Sequence, residues 1–187
     1  MEVKLQSPRF RTESTARGFR VDIPARRNWL LILFLGAWLG GWVFGEMDVS
    51  KQLLNSPSQE PMAFMSFWIV GWTIGGSVAI TALLWQLAGH EVIDIDSSRL
   101  KYRVQVFGIG RTRSYAVADV RELRSVTYER GPFFNQRSLI PPIFGSGYGP
   151  VAFDYGARTF RFGPSLDDAE AKMFVAQVAA RLPRGPR

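Results

Sequence analysis

Two stretches, residues 29–45 (WLLILFLGAWLGGWVFG) and 63–89 (AFMSFWIVGWTIGGSVAITALLWQLAG), carry no charged side chain. This limits the fold more than any other feature. At 1.5 Å per residue the first reaches about 26 Å as a helix and the second about 40 Å, so both can cross a hydrocarbon core, the second with tilt. Both are apolar all round rather than along one stripe, which predicts membrane helices over buried core helices. A cleaved signal peptide does not fit, because a long charged region precedes the first stretch and nothing like A-x-A follows Gly45. The expected organisation is a basic segment (1–28), a transmembrane hairpin (29–89) and a cytoplasmic domain (90–187). The spans are about 29–45 and 63–89, joined by an outer loop, 46–62.

Basic residues set the expected orientation. Seven Lys and Arg precede the first span, Lys51 alone lies in the connecting loop, and the remaining fifteen follow the second. The positive-inside rule then places both termini in the cytoplasm of a cell carrying this chain in its inner membrane. The net charge of +7 thus reports topology and closeness to anionic lipid, and no nucleic-acid partner is expected. The chain has no cysteine, which removes disulfides, thiol catalysis and zinc–cysteine sites. No acidic or basic residue interrupts either span, which argues against an ion pathway.

Small residues recur at four-residue spacing: Gly36 and Gly40, Gly41 and Gly45, then Gly71, Gly75 and Ala79. Such ridges let helix backbones approach closely in lipid. They either close the chain's own hairpin or face another membrane subunit, a second copy included.

After residue 90 the pattern alternates. Leu100, Tyr102, Val104 and Val106 share one strand face, and Lys101, Arg103 and Gln105 the other. FGIG forms a turn into RTRSYAV, and VAFDYG with RTFRFG forms a second hairpin. The closing GPSLDDAEAKMFVAQVAARL reads as a helix with Ser165 as N-cap, Asp168 three residues on, and an apolar stripe of Ala171, Phe174, Val175, Val178 and Leu182. The fold class is therefore α+β: a helical hairpin, then a curved antiparallel sheet capped by a C-terminal helix.

The stretches GWTIGG…LLWQLAGHEVIDID, FGIGRTRSY and FDYGARTFRFGPSLDDAEA resemble the bacterial pleckstrin-homology-like (PH-like) domains that follow two membrane helices. The resemblance covers about residues 71–182. It implies a half-barrel of six or seven strands, and no reaction. About six strands are countable, so one is either missing or supplied by GFRVDIP before the first span.

Lys101, Arg103, Arg111 and Arg113 are similar in spacing to the basic hairpin with which eukaryotic relatives of that fold bind inositol phosphates. They form either an anionic headgroup site or an exposed strand face kept soluble by charge. The Gly/Pro-rich loop 131–150 is unusually apolar. Phe133, Phe134, Ile140, Ile143 and Phe144 are expected not all to be buried in their own domain, with at least two touching lipid or another chain. No catalytic constellation, cofactor motif or metal-ligand spacing is present, and His90 is the only histidine. The expected role is a non-enzymatic accessory or assembly factor of a membrane complex, or alternatively a module that binds anionic lipid headgroups.

Overall fold

The computed structural model describes residues 8–16, 18–55, 59–127 and 149–180. The chain divides into two compact units, one of residues 27–87 and one made of residues 1–26 together with 88–187.

The first unit consists of two helices, α1 (Trp29–Asn55) and α2 (Gln59–Ala88). Each contains a segment long and apolar enough to cross a membrane, Trp29–Gln52 and Phe64–Ala88. Leu30, Leu33, Phe34, Phe67 and Ile74 are exposed on them, so the apolar surface of these helices is not covered by a protein core in this chain. The helices run further than expected. Most of the presumed outer loop is helical, and Glu46, Asp48 and Lys51 ride on α1, so the absence of charge holds only as far as Gly45.

The hairpin closes on tryptophan. The Trp42 indole donates to the Trp72 carbonyl at 3.2 Å, and Trp72 stacks on Trp68 with centroids 4.5 Å apart. A side chain at Gly76 would collide with the Trp42 ring, so a glycine is required there for the two backbones to approach. Along α2, Thr73, Ser77 and Thr81 bond back to the carbonyls four residues earlier at 2.8 Å, which satisfies their hydroxyls without water.

Among the described residues the second unit holds eight strands and one α-helix. A five-stranded antiparallel sheet has the order β1 (Arg11–Thr15), β2 (Gly18–Pro24), β3 (Gly89–Asp96), β4 (Arg99–Val106), β5 (Ile109–Ala116). A three-stranded sheet follows as β6 (Val120–Ser125), β7 (Val151–Tyr155), β8 (Arg158–Phe162), and then α3 (Asp168–Ala179). Among the described residues six strands follow α2, the number countable from sequence. GFRVDIP is a seventh and RTEST an eighth. Residues 1–28 are therefore not a segment apart, because they supply the two strands that extend β3.

Period-2 patterning decides the core. Phe19, Val21 and Ile23 of β2, Ile93 and Ile95 of β3, and Leu100, Tyr102 and Val104 of β4 are buried. A chain of rings joins this face to the rest: Tyr102 to Phe162, Tyr115 to Phe153, Phe162 to Phe174, and Phe174 to Phe10, at 5.1–6.0 Å between centroids. On α3, Ala171, Phe174 and Val178 of the predicted stripe are buried and Val175 is half-buried, while Leu182 lies outside the described residues.

The cap of α3 differs from expectation. Asp167 is the N-cap, and it forms a capping box with Glu170 (Glu170 N–H to Asp167 Oδ1 2.8 Å, Asp167 N–H to Glu170 Oε2 3.0 Å). Ser165 is buried in the approach to the helix instead, and its carbonyl accepts from Arg9 at 2.8 Å. Arg9 also donates to both oxygens of Glu170, at 3.0 and 2.7 Å, so a residue near the start of the chain fastens the cap of the last helix. These donors hold the Glu170 carboxyl below its ordinary range even though its burial acts the other way.

Candidate functional site

The outer face of the five-stranded sheet is laced with charge. Register places Glu13, Arg20, Asp94, Lys101 and Ser114 in one cross-strand row, and Arg11, Asp22, Val92, Arg103 and Thr112 in the next. Arg20 grips Asp94 with two bonds of 2.6 and 3.1 Å, and His90 Nδ1 lies 2.9 Å from Asp22. The hydrogen bond to Asp94 raises the Arg20 pKa above its ordinary value. At the β1–β2 end the face forms a groove of about 460 Å³ whose charged lining is Arg20, Asp94, Asp96, Lys101 and Arg103.

The four basic residues singled out in the sequence do not converge. Lys101 and Arg103 lie on the outer face. Arg111 pairs across from Val104 and Arg113 across from Tyr102, so this second pair belongs to the opposite face of the sheet. Alternation within β5 enforces the split, since a turn of two residues fixes the register. In the groove, moreover, two carboxylates stand beside the cations. A single four-cation phosphate clamp is not built.

The glycine ridges have a clear direction. A side chain added at Gly36, Gly40, Gly41, Gly71 or Gly75 would meet nothing within 4 Å, and one at Gly45 would only touch Trp72 at 3.9 Å. These glycines do not close the hairpin; Gly76, outside the predicted ridges, does. Glu46 faces α2, where Thr73 Oγ1 lies 2.6 Å from its Oε1. The loop residues Phe133, Phe134, Ile140, Ile143 and Phe144 lie outside the described residues.

Sequence reasoning missed a buried carboxyl of the sheet. Glu91 on β3 is fully buried, accepting from the Tyr102 hydroxyl at 2.8 Å and from the Gly163 N–H at 3.1 Å through Oε2. Its Oε1 has no hydrogen-bond partner. Burial pushes its pKa up to about 7, against the opposing pull of Tyr102, Gly163 and Ser165. The signal was available, because Glu91 has the same parity as the inward-facing Ile93 and Ile95. The bond to Gly163 ties the five-stranded sheet to the segment between β8 and α3. Among the described residues, no group of His, Asp and Glu side chains is placed to hold a metal.

Comparison with family models, curated proteins and solved structures finds no match to this chain.

Proposed function

We propose that this chain is a non-enzymatic integral membrane protein that serves as an accessory or assembly subunit of a larger membrane complex. The observation that carries this reading is the open glycine surface of the hairpin. Gly36, Gly40, Gly71 and Gly75 leave room that the chain's own helices do not use, and small-residue ridges in lipid are where another helix packs closely. The hairpin crosses the inner membrane with both flanks in the cytoplasm. Support comes from β2 and β3, which precede and follow the hairpin yet pair with each other, so both flanks must share one side. The excess of Lys and Arg in those flanks argues that the side is cytoplasmic. Two antiparallel sheets closed by a terminal helix support the PH-like reading of the domain.

The test is purification of the full chain in mild detergent, beside Gly40→Leu and Gly75→Leu variants, with mass spectrometry of what elutes. A stable integral membrane partner accompanies the wild-type chain and is lost from the variants, whose hairpin keeps the Trp42–Gly76 contact. A wild-type chain that elutes alone, as the variants do, overturns the reading. The alternative of headgroup binding now rests on Lys101 and Arg103 in the outer groove. Phosphate-containing lipid that binds equally well to the Lys101→Ala/Arg103→Ala protein removes it.

A further inference from the structure

The β4–β5 turn is built against its own stability. It has two residues, Phe107 and Gly108, with φ of 51° and 82°. Positive φ at both positions is the arrangement of a tight hairpin that favours Asn, Asp or Gly first. A phenylalanine there is strained, and strain of this kind persists where something else requires the residue. The ring is also 71% exposed, and Ile109 beside it is 81% exposed. Among the described residues, no polar or packing role accounts for two large apolar side chains at one tip.

Register says where that tip lies. Val106 pairs with Ile109 on one side and with Gly89, the first residue of β3, on the other. Pro24 pairs with His90, and the Ala25 N–H bonds to the Gly89 carbonyl at 2.8 Å. The chain therefore leaves for α1 and returns from α2 at the same end of the sheet that carries Phe107 and Ile109. Exposed Arg26 and Arg111 lie at this end too. Apolar side chains at a tip, with two cations at the same end, match the interfacial layer of an anionic bilayer, where rings and alkyl groups sit at the acyl boundary and cations meet phosphates.

We propose that the β4–β5 turn is a third membrane contact, with Phe107 and Ile109 seated in the interfacial layer of an anionic bilayer. This rests on the reading that α1 and α2 cross that bilayer. It gives the exposed pair an occupant and the strained backbone a reason.

The cysteine-free sequence makes the test direct. The full chain is placed in nanodiscs of mixed zwitterionic and anionic lipid as three single-cysteine proteins, Ile109→Cys, Ser97→Cys and Phe44→Cys, each carrying an environment-sensitive fluorophore. Ser97 sits at the other end of β4, about 25 Å away along the strand. Spin-labelled quencher lipids are then added. The expected result is a blue-shifted probe at 109 that loses most of its emission, an unaffected probe at 97, and a quenched probe at 44. Quenching at 44 without quenching at 109 overturns the turn contact and leaves the spanning helices standing. A probe at 109 that is blue-shifted yet unquenched means a protein surface covers the tip, and it also overturns the proposal. Absence of quenching at both 44 and 109 removes the membrane reading itself, and the turn contact with it.

Discussion

Strand β3 ends in two different ways. At its far end Asp96 accepts the N–H groups of Ser98 and Arg99 at 2.8 and 2.6 Å and the Ser98 hydroxyl at 3.0 Å, all through Oδ1. That turn is closed by its own side chains, and the donated bonds hold the Asp96 carboxyl below its ordinary range. At the near end stand Glu91, with one oxygen unpartnered in the core, and the adjacent Phe107–Gly108 turn, strained and apolar. Both carboxyls belong to one strand, yet their pKa values move in opposite directions. The far end is complete within the domain. The near end leaves its demands to be met by protonation and by something outside the sheet.

The largest effect expected from this contrast comes from Glu91. Its pKa is about 7 in the folded chain against an ordinary 4.5. The folded state therefore holds the proton while the unfolded state has lost it. The contribution of Glu91 is full below pH 4.5, falls as pH rises toward 7, and is smaller by roughly 3 kcal/mol above that. Melting temperature across pH 4.5–8.5 checks this, and Glu91→Gln should flatten the profile. Parallel profiles for the two proteins would remove Glu91 as the cause. A middle effect comes from Phe107→Asn. Asparagine tolerates the left-handed region, so the variant should be more stable by about 1 kcal/mol. It should also weaken contact of the 109 probe with lipid. A loss of stability would mean that the ring packs within the domain after all.

The smallest effect is expected from Asp96→Ala. The folded pKa is depressed, so the contribution of Asp96 is present above its ordinary 3.8 and disappears as pH falls through the lowered value. The wild-type and variant melting temperatures should thus differ slightly at pH 7 and converge under acid. A gap that persists at low pH would make the turn's geometry, and not the carboxylate, the stabilising element.

Much of this was legible from local pattern. The alternation in β4, the β7–β8 turn and the stripe of α3 each depend on neighbours two to four residues apart, and each folds as the pattern implies. What escaped was long-range. Nothing local says that Arg9 will meet Glu170, or that β2 will find β3 across an intervening hairpin. The glycine spacing was visible and its direction was not, because rotation about a helix axis is settled by where Trp42 finds a shelf, at Gly76. Asp167 took the cap from Ser165 because Arg9 and the core claimed the serine's surroundings. The four basic residues looked like one site because spacing along a hairpin conceals which face each side chain takes.

The pairing of β2 with β3 also has a consequence in time. A ribosome completes β2 before either apolar helix exists, and β3 emerges only after both. Its apolar residues Phe19, Val21 and Ile23 must wait through synthesis of the whole hairpin before their partner strand is made. Closing so distant a contact is slow relative to a neighbouring hairpin. On the proposed membrane reading, a nascent chain whose flanks ended on opposite sides of the bilayer could not complete it. On that reading the sheet would act as a proofreading step in biogenesis: only a correctly threaded hairpin lets β2 meet the strand made after it.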